Sequence, residues 1–314
     1  MGWWTRASAA EPAGAEPSAA PRVGRPTFRA RQRFAGTIDV LRRMPKLPTA
    51  VVVLAIAVAA FADLLVPHDP AAVNPIDGEK PPAFVTGGTW TYPLGTDRKG
   101  RDILSRVILG TRVSLAVAAG AISAGGLVGT FLGFLAGYRG GWVDALIMRA
   151  ADAFLAFPSI LIALVLAVTI GPSFTVVVTV LALILWARFA RLVRGEVLYW
   201  KTRDFIGLAR VAGARGPYIV RRHLLPNVLN TIVVLCTLQI GWAIIVEASL
   251  SFLGAGIPPP TPTWGSMVAE GVSLIERAWW ISVCPGAAMM LVVLCFNLFG
   301  DWIRDLLDPK LRQL

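Results

Sequence analysis

Few side chains in this sequence could perform chemistry. It holds two histidines, His68 and His223, and three cysteines, Cys236, Cys284 and Cys295. No GxxxxGK[ST] phosphate loop, HExxH pair or CxxC spacing occurs, so the residues for a nucleotide site, a zinc site or a disulfide framework are not assembled in the sequence. All three cysteines fall within apolar runs and read as small buried hydrophobes. Two groups of charges stand out because apolar sequence surrounds them. In "VDALIMRAADAFLAFP", Asp144, Arg149 and Asp152 fall within two and a half helical turns, and Arg149 and Asp152 are three apart and able to pair. A structural ion pair and a gating or substrate role are the two readings of this cluster. Glu247 is the other isolated charge, read as hydrated at a membrane interface or as a pathway residue touching substrate.

The elements that must position these charges are membrane spans. Hydrophobic residues make up 55% of the chain and charged residues 16%, with a mean hydropathy of +0.64, a composition that excludes an ordinary soluble domain. Apolar segments near 48–66, 113–137, 143–169, 174–193, 226–250 and 283–303 are long enough to cross about 30 Å of hydrocarbon. The expected fold class is an all-α polytopic membrane protein with six transmembrane helices. Pro158 is placed to kink or interrupt the third span. The net charge of +11 does not indicate nucleic acid, because the basic residues sit at span ends and in one loop with no interleaved aromatic surface.

Lys and Arg distribution sets an expected orientation, since cytoplasmic segments retain these residues. Of the 30, 22 fall on the side of both termini and 7 on the other, with Arg149 inside a span. Both termini are thus expected in the cytoplasm. Residues 1–47, rich in Ala, Pro and Arg, read as a flexible basic tail without a signal peptide. The first span follows at 48–66 and an external or interfacial segment at 67–112. A core of five spans fills 113–303, with a cytoplasmic loop at 194–225 and an external loop at 254–281, before a cytoplasmic tail at 304–314. Trp90 with Tyr92, and Trp279 with Trp280, suit a membrane interface.

Two patterns concern helix contacts. Gly125, Gly129, Gly133 and Gly137 recur every fourth residue and form a smooth ridge for close packing, within the chain or against a partner subunit. In the basic loop, Asp204 opens a run in which Phe205, Leu208, Val211 and Ala212 give a short helix an apolar side. Gly213 ends that helix, Gly216 and Pro217 forbid its continuation, and Pro226 marks entry into the fifth span. The result is a short helix over 204–215, held crosswise to seat on a partner or to lie on membrane lipid.

This loop resembles the loop motif of permease subunits of ATP-binding-cassette importers, in which Glu-Ala-Ala is followed by Gly and then by Ile-x-Leu-Pro. Gly207, Leu208 and Ala209 occupy the triplet here, Gly213 the glycine, His223 the isoleucine, and Leu225 and Pro226 the end. The acid and the middle alanine are replaced. The stretches "YPLGTDRKGRDILSRVILGTRVSL", "EASLSFLGAGIPPPTPTWGSMVAEG" and "PGAAMMLVVLCFNLFGDWIRDLLDPKLR" are similar to the C-type permease of dipeptide and oligopeptide importers, a group that includes nickel and glutathione permeases. The resemblance covers about residues 60–312.

It implies the type I importer permease fold with 113–303 as the permease core, a heterodimer with a homologous B-type permease, two cytoplasmic ATPases that carry ATP and Mg, and an external substrate-binding protein. It implies no cofactor on this chain, which is then not an enzyme, and a multi-pass location in the bacterial inner membrane. Asp204, Phe205, Leu208, Ala209, Gly213, Ala214, Leu225 and Pro226 become the expected ATPase-docking residues. A nickel-complex importer of the same architecture and an ATP-independent channel or carrier are the rival readings. The latter would call for midplane ionisable residues or an inverted repeat.

Overall fold

Apolar runs in lipid must satisfy their own backbone hydrogen bonds, and among the described residues they do so as helices. A computed structural model describes residues 44–307. Its elements are α1 (Lys46–Ala60), α2 (Ala62–Leu65), a 3-10 turn at Pro75–Asp77, α3 (Ile103–Arg139), α4 (Gly141–Ala156), α5 (Ser159–Ile170) and α6 (Phe174–Lys201). Then follow α7 (Asp204–Val211), α8 (Gly216–Ile219), a π-helical turn at Val220–Leu224, α9 (Leu225–Phe252), α10 (Trp264–Val272) and α11 (Trp280–Leu307). Most of the expected N-terminal tail, 1–43, and the end of the C-terminal tail, 308–314, lie outside the described residues.

Among the described residues, four helical stretches are long and apolar enough to cross a membrane: α3, α6, the continuous run Gly216–Phe252, and α11. The pair α4 and α5 becomes a fifth when taken as one broken span, bent by 86° at Phe157–Pro158. Helix α1 has 15 residues, short of a span by itself, and α2 extends it past Phe61 to Leu65, so that 46–65 together has the length of one.

The centre of the bundle is the pairing of α3 with α6. A Cβ added to Gly125 would lie 2.6 Å from the Ala182 carbonyl oxygen, and at Gly129 and Gly133 it would come closer still to those of Trp186 and Ala190. At Gly137 it would meet the Arg194 carbonyl oxygen at 3.0 Å. Each glycine faces the residue 57 positions on, so the two helices run parallel in one locked register. Parallel packing requires the intervening α4 and α5 to return the chain to the starting end of α3. Behind this seam, Val117, Ala121, Leu181, Leu185, Phe189 and Leu250 form the largest apolar core.

Several boundaries differ from those the hydropathy suggests. Helix α3 begins at Ile103, ten residues before the apolar run, because Arg106 and Arg112 are neutralised in place. Asp102 caps it, its carboxylate accepting from the amides of Leu104 and Ser105. Gly216 and Pro217 do not interrupt a helix but start one, with proline in the first turn where its missing N–H costs nothing. Pro226 stands in the first turn of α9, where the expected fifth span begins. It lies inside the continuous helical run from Gly216, immediately after the π turn that widens the backbone where proline would crowd the preceding carbonyls. The Asn227 side-chain amide donates to the His223 carbonyl oxygen at 2.6 Å, satisfying one carbonyl at this break.

Candidate functional site

Helix α7 stands on a single inward side chain. Ile206 is fully buried and packs with Ile219 and Leu224, against Phe134 and Tyr138 at the end of α3 and Trp200 at the end of α6. Phe205 adds a partly covered ring, 6.3 Å from that of Trp200 and 5.9 Å from that of His223. Leu208 and Val211 point away, 69% and 89% exposed, and with Phe205 they leave an apolar strip uncovered by this chain. Asp204 is exposed in the first turn, while Ala209 and Ala214 are half-buried.

The helix ends after Val211, and residues 212–215 form its terminating turn. The Ala214 amide donates to the Ala209 carbonyl oxygen at 2.9 Å, and the Gly213 amide to that of Arg210 at 3.0 Å. This closure needs a left-handed residue, and Gly213 supplies it at φ +84°. A Cβ on Gly213 would meet nothing within 4 Å in this chain, so the constraint there comes from the backbone. Gly207 also faces open space. Leu225 is half-buried and Pro226 exposed where the return run passes into α9.

Ion pairs secure the frame beside this helix. Arg194 of α6 forks onto Asp144 of α4, with Nη2 2.6 Å from Oδ2, and Arg191 pairs with Asp152. The expected Arg149–Asp152 pair is not formed. Both acids face α6, whose arginines reach them from a neighbouring helix, while Arg149 is exposed on α4. The Lys201 ammonium donates to the Tyr138 carbonyl oxygen at 2.7 Å and so caps the C-terminal end of α3.

The opposite end of the bundle holds a second network that hydropathy and motif reasoning missed. Asp97 accepts from Arg101 Nε at 2.6 Å and pairs with Arg106, and both arginines reach Glu270 of α10, at 2.7 and 2.8 Å. Asp97, Arg101 and Arg106 are buried. The signal available was the charge density of "GTDRKGRDILSR", whose partner, Glu270, lies 164 residues beyond Arg106. Trp280 is buried there, its indole donating to the Thr96 carbonyl oxygen at 3.1 Å, so it is a core residue and not an interfacial one.

Glu247 is not a hydrated interfacial charge. It is fully buried between α9 and α3, accepting from the Ser251 hydroxyl at 2.7 Å and the Ser114 hydroxyl at 3.3 Å. Beyond α3, the Lys80 ammonium, and secondarily the Tyr92 hydroxyl at 3.0 Å, hold the Asp77 carboxyl below its ordinary value. Asp77 in turn raises the pKa of Tyr92.

Parallel helices locked by a glycine ridge, with a short anchored helix bearing an exposed apolar strip at one end, define a helical membrane protein. A family model described as the binding-protein-dependent transport system inner membrane component matches residues 129–313. The chain is 44% identical over 262 residues to the glutathione transport system permease protein GsiD of Pectobacterium atrosepticum, covering 83% of this chain and 85% of that protein. It is 40% identical over 258 residues to the dipeptide transport system permease protein DppC of Alkalihalophilus pseudofirmus, covering 82% and 83%. Among solved structures, an inward-facing MetNI methionine ABC transporter superposes with a TM-score of 0.55 at 19% identity, over 66% of this chain and 98% of that one, a likeness of fold alone.

The chain therefore belongs to the inner-membrane-component family of binding-protein-dependent transport systems. It is a transmembrane permease subunit of an ATP-binding-cassette importer, a multi-pass inner-membrane protein working in a complex with ATPases and not itself catalytic.

Proposed function

We propose that this permease imports short peptides, dipeptides or glutathione, crossing the membrane six times with both termini in the cytoplasm. The relatives are named for these cargoes, and the Lys and Arg distribution supports the orientation. In this reading it pairs with a homologous B-type permease, receives cargo from an external binding protein, and seats α7 on one of two ATPases that bind ATP and Mg.

The uncovered strip of Phe205, Leu208 and Val211 carries the proposal. An exposed apolar strip on an eight-residue helix suits a protein groove better than lipid, because Asp204 and Arg210 flank it in the same helix. Force applied to α7 passes through Ile206 to Phe134, Tyr138 and Trp200, at the ends of α3 and α6. Those helices share one register through the glycine ridge, so they move together. Closing of the ATPases on ATP then rocks the two permeases open outward, and hydrolysis resets them.

The test replaces Leu208 with Asp in the reconstituted complex. Placing a charge at the centre of the strip should lower ATPase copurification about tenfold or more, as loss of an interface anchor does, with membrane insertion and B-type pairing kept. Arg221→Ala should be much milder. Normal ATPase association with Leu208→Asp would return α7 to a lipid-surface role.

A further inference from the structure

Arg188 lies in α6, thirteen residues before its end at Lys201 and five before the end of the apolar run 174–193, where a cation is costly unless something satisfies it. Other charged groups of α6 are satisfied: Arg191 by Asp152, Arg194 by Asp144, Glu196 by the Trp200 indole, and Lys201 by the Tyr138 carbonyl. Arg188 has instead the face of Trp242 on α9, with its guanidinium carbon 4.1 Å from the ring centroid. Among the described residues no hydrogen bond or ion pair ties it. One turn before Trp242, Gln239 is 8% exposed, and its amide nitrogen is buried without a partner.

We infer that Arg188, stacked on Trp242, is a binding site for the carboxylate of the cargo on its way through the membrane. Stacking occupies the flat face of a guanidinium and leaves its N–H fork free in the plane, the geometry that takes a carboxylate with two parallel hydrogen bonds. Arg188 and Trp242 are each only half-buried by this chain, so the seam between α6 and α9 remains open to a ligand. The C-terminal carboxylate of a short peptide offers this fork two acceptor oxygens, and the contrast between a peptide acid and its amide separates cargo from a lipid phosphate. The inference rests on the proposal that the cargo is a peptide.

The experiment reads residue 188 directly. The complete transporter in nanodiscs is treated with phenylglyoxal, which modifies accessible guanidinium groups, and the adduct at Arg188 is quantified by mass spectrometry. Ala-Ala should slow modification of Arg188 about tenfold, the scale of a charge-assisted hydrogen bond, and the C-terminal amide of Ala-Ala should not. Trp242→Leu should lose this protection while the complex still copurifies. Equal modification with acid and amide overturns the inference, as does an Arg188 that is unreactive without peptide, which would mean that a partner subunit's carboxylate holds it. Import assays in vesicles separate the two proposals. Wild-type uptake of Ala-Ala without protection of Arg188 defeats only this inference, whereas no uptake of any di- or tripeptide defeats the cargo reading.

Discussion

Arg106 and Arg112 sit six residues apart on one helix and answer the same problem differently. Arg106 is 3% exposed between Asp97 and Glu270, whereas Arg112 pairs with an Asp63 whose side chain is 77% exposed. Truncating a buried partner leaves uncompensated charge worth about 3–5 kcal/mol, and a solvated pair contributes about 0–1 kcal/mol. Arg106→Met should therefore lower the melting temperature of the purified permease far more than Arg112→Met, measured side by side in one detergent. Nearby, the depressed Asp77 pKa gives a pH dependence of definite sign. Its Lys80 and Tyr92 contacts support the outer segment above the ordinary carboxylate range and are lost as pH falls through the lowered value. Amide exchange around Pro75–Lys80 should accelerate over that acid range, and Asp77→Asn should flatten the response. Charge density in the sequence marked this region. Its pairing with Glu270 was not legible, because nothing local specifies a partner 164 residues away.

The glycine ridge is where sequence and structure correspond most directly. A four-residue period of Gly says that a backbone approaches closely, and the structure supplies the identity of that backbone, α6 of the same chain. The period alone could not choose between a helix of this chain and one of a partner. Helix ends were less legible. Pro226 is a start signal for α9, but nothing in the sequence announces the π turn that joins α9 to the helical residues before it. Ile206, the anchor of α7, was invisible as such because it sits off the strip that the apolar spacing picks out. The two glycine environments predict opposite outcomes. Gly129→Val forces a branched side chain into the Trp186 backbone and should cost more than the about 1–3 kcal/mol of ordinary overpacking, preventing assembly. Gly207→Ala meets open space and should stabilise α7 by about 1 kcal/mol from helix propensity, leaving uptake intact. Expression with gel-filtration profiles reads the first, and thermal unfolding the second.

At the scale of the whole molecule, direction is the question that the bundle constrains most. Helices α3 and α6 run parallel in register, so the ends bearing Ile103 and Phe174 lie on one side of the membrane and those bearing Arg139 and Lys201 on the other. The chain must therefore recross between Gly141 and Ile170, although an 86° bend divides that stretch into two helices each too short to span. The bend hides a crossing from any rule that counts long helices, and hydropathy, blind to Pro158, finds it. Charge then assigns the sides. Segments beside Arg139 and Lys201 hold most of the Lys and Arg, and in the orientation we propose on that ground α7 faces the cytoplasm and α10 the outside. Thr202 and Glu276 are exposed, lie on opposite sides of this scheme, and take no part in the buried networks. Single cysteines at these positions, in a background without Cys236, Cys284 and Cys295, should react with a membrane-impermeant maleimide from opposite faces. In intact spheroplasts Glu276→Cys should label and Thr202→Cys should not, and inverted vesicles should reverse the pattern. Labelling of both from the same face would remove the crossing by the Gly216–Phe252 run that sets α7 and α10 on opposite sides. A reversal of both would keep the frame and put α7 outside, beyond the reach of any ATPase.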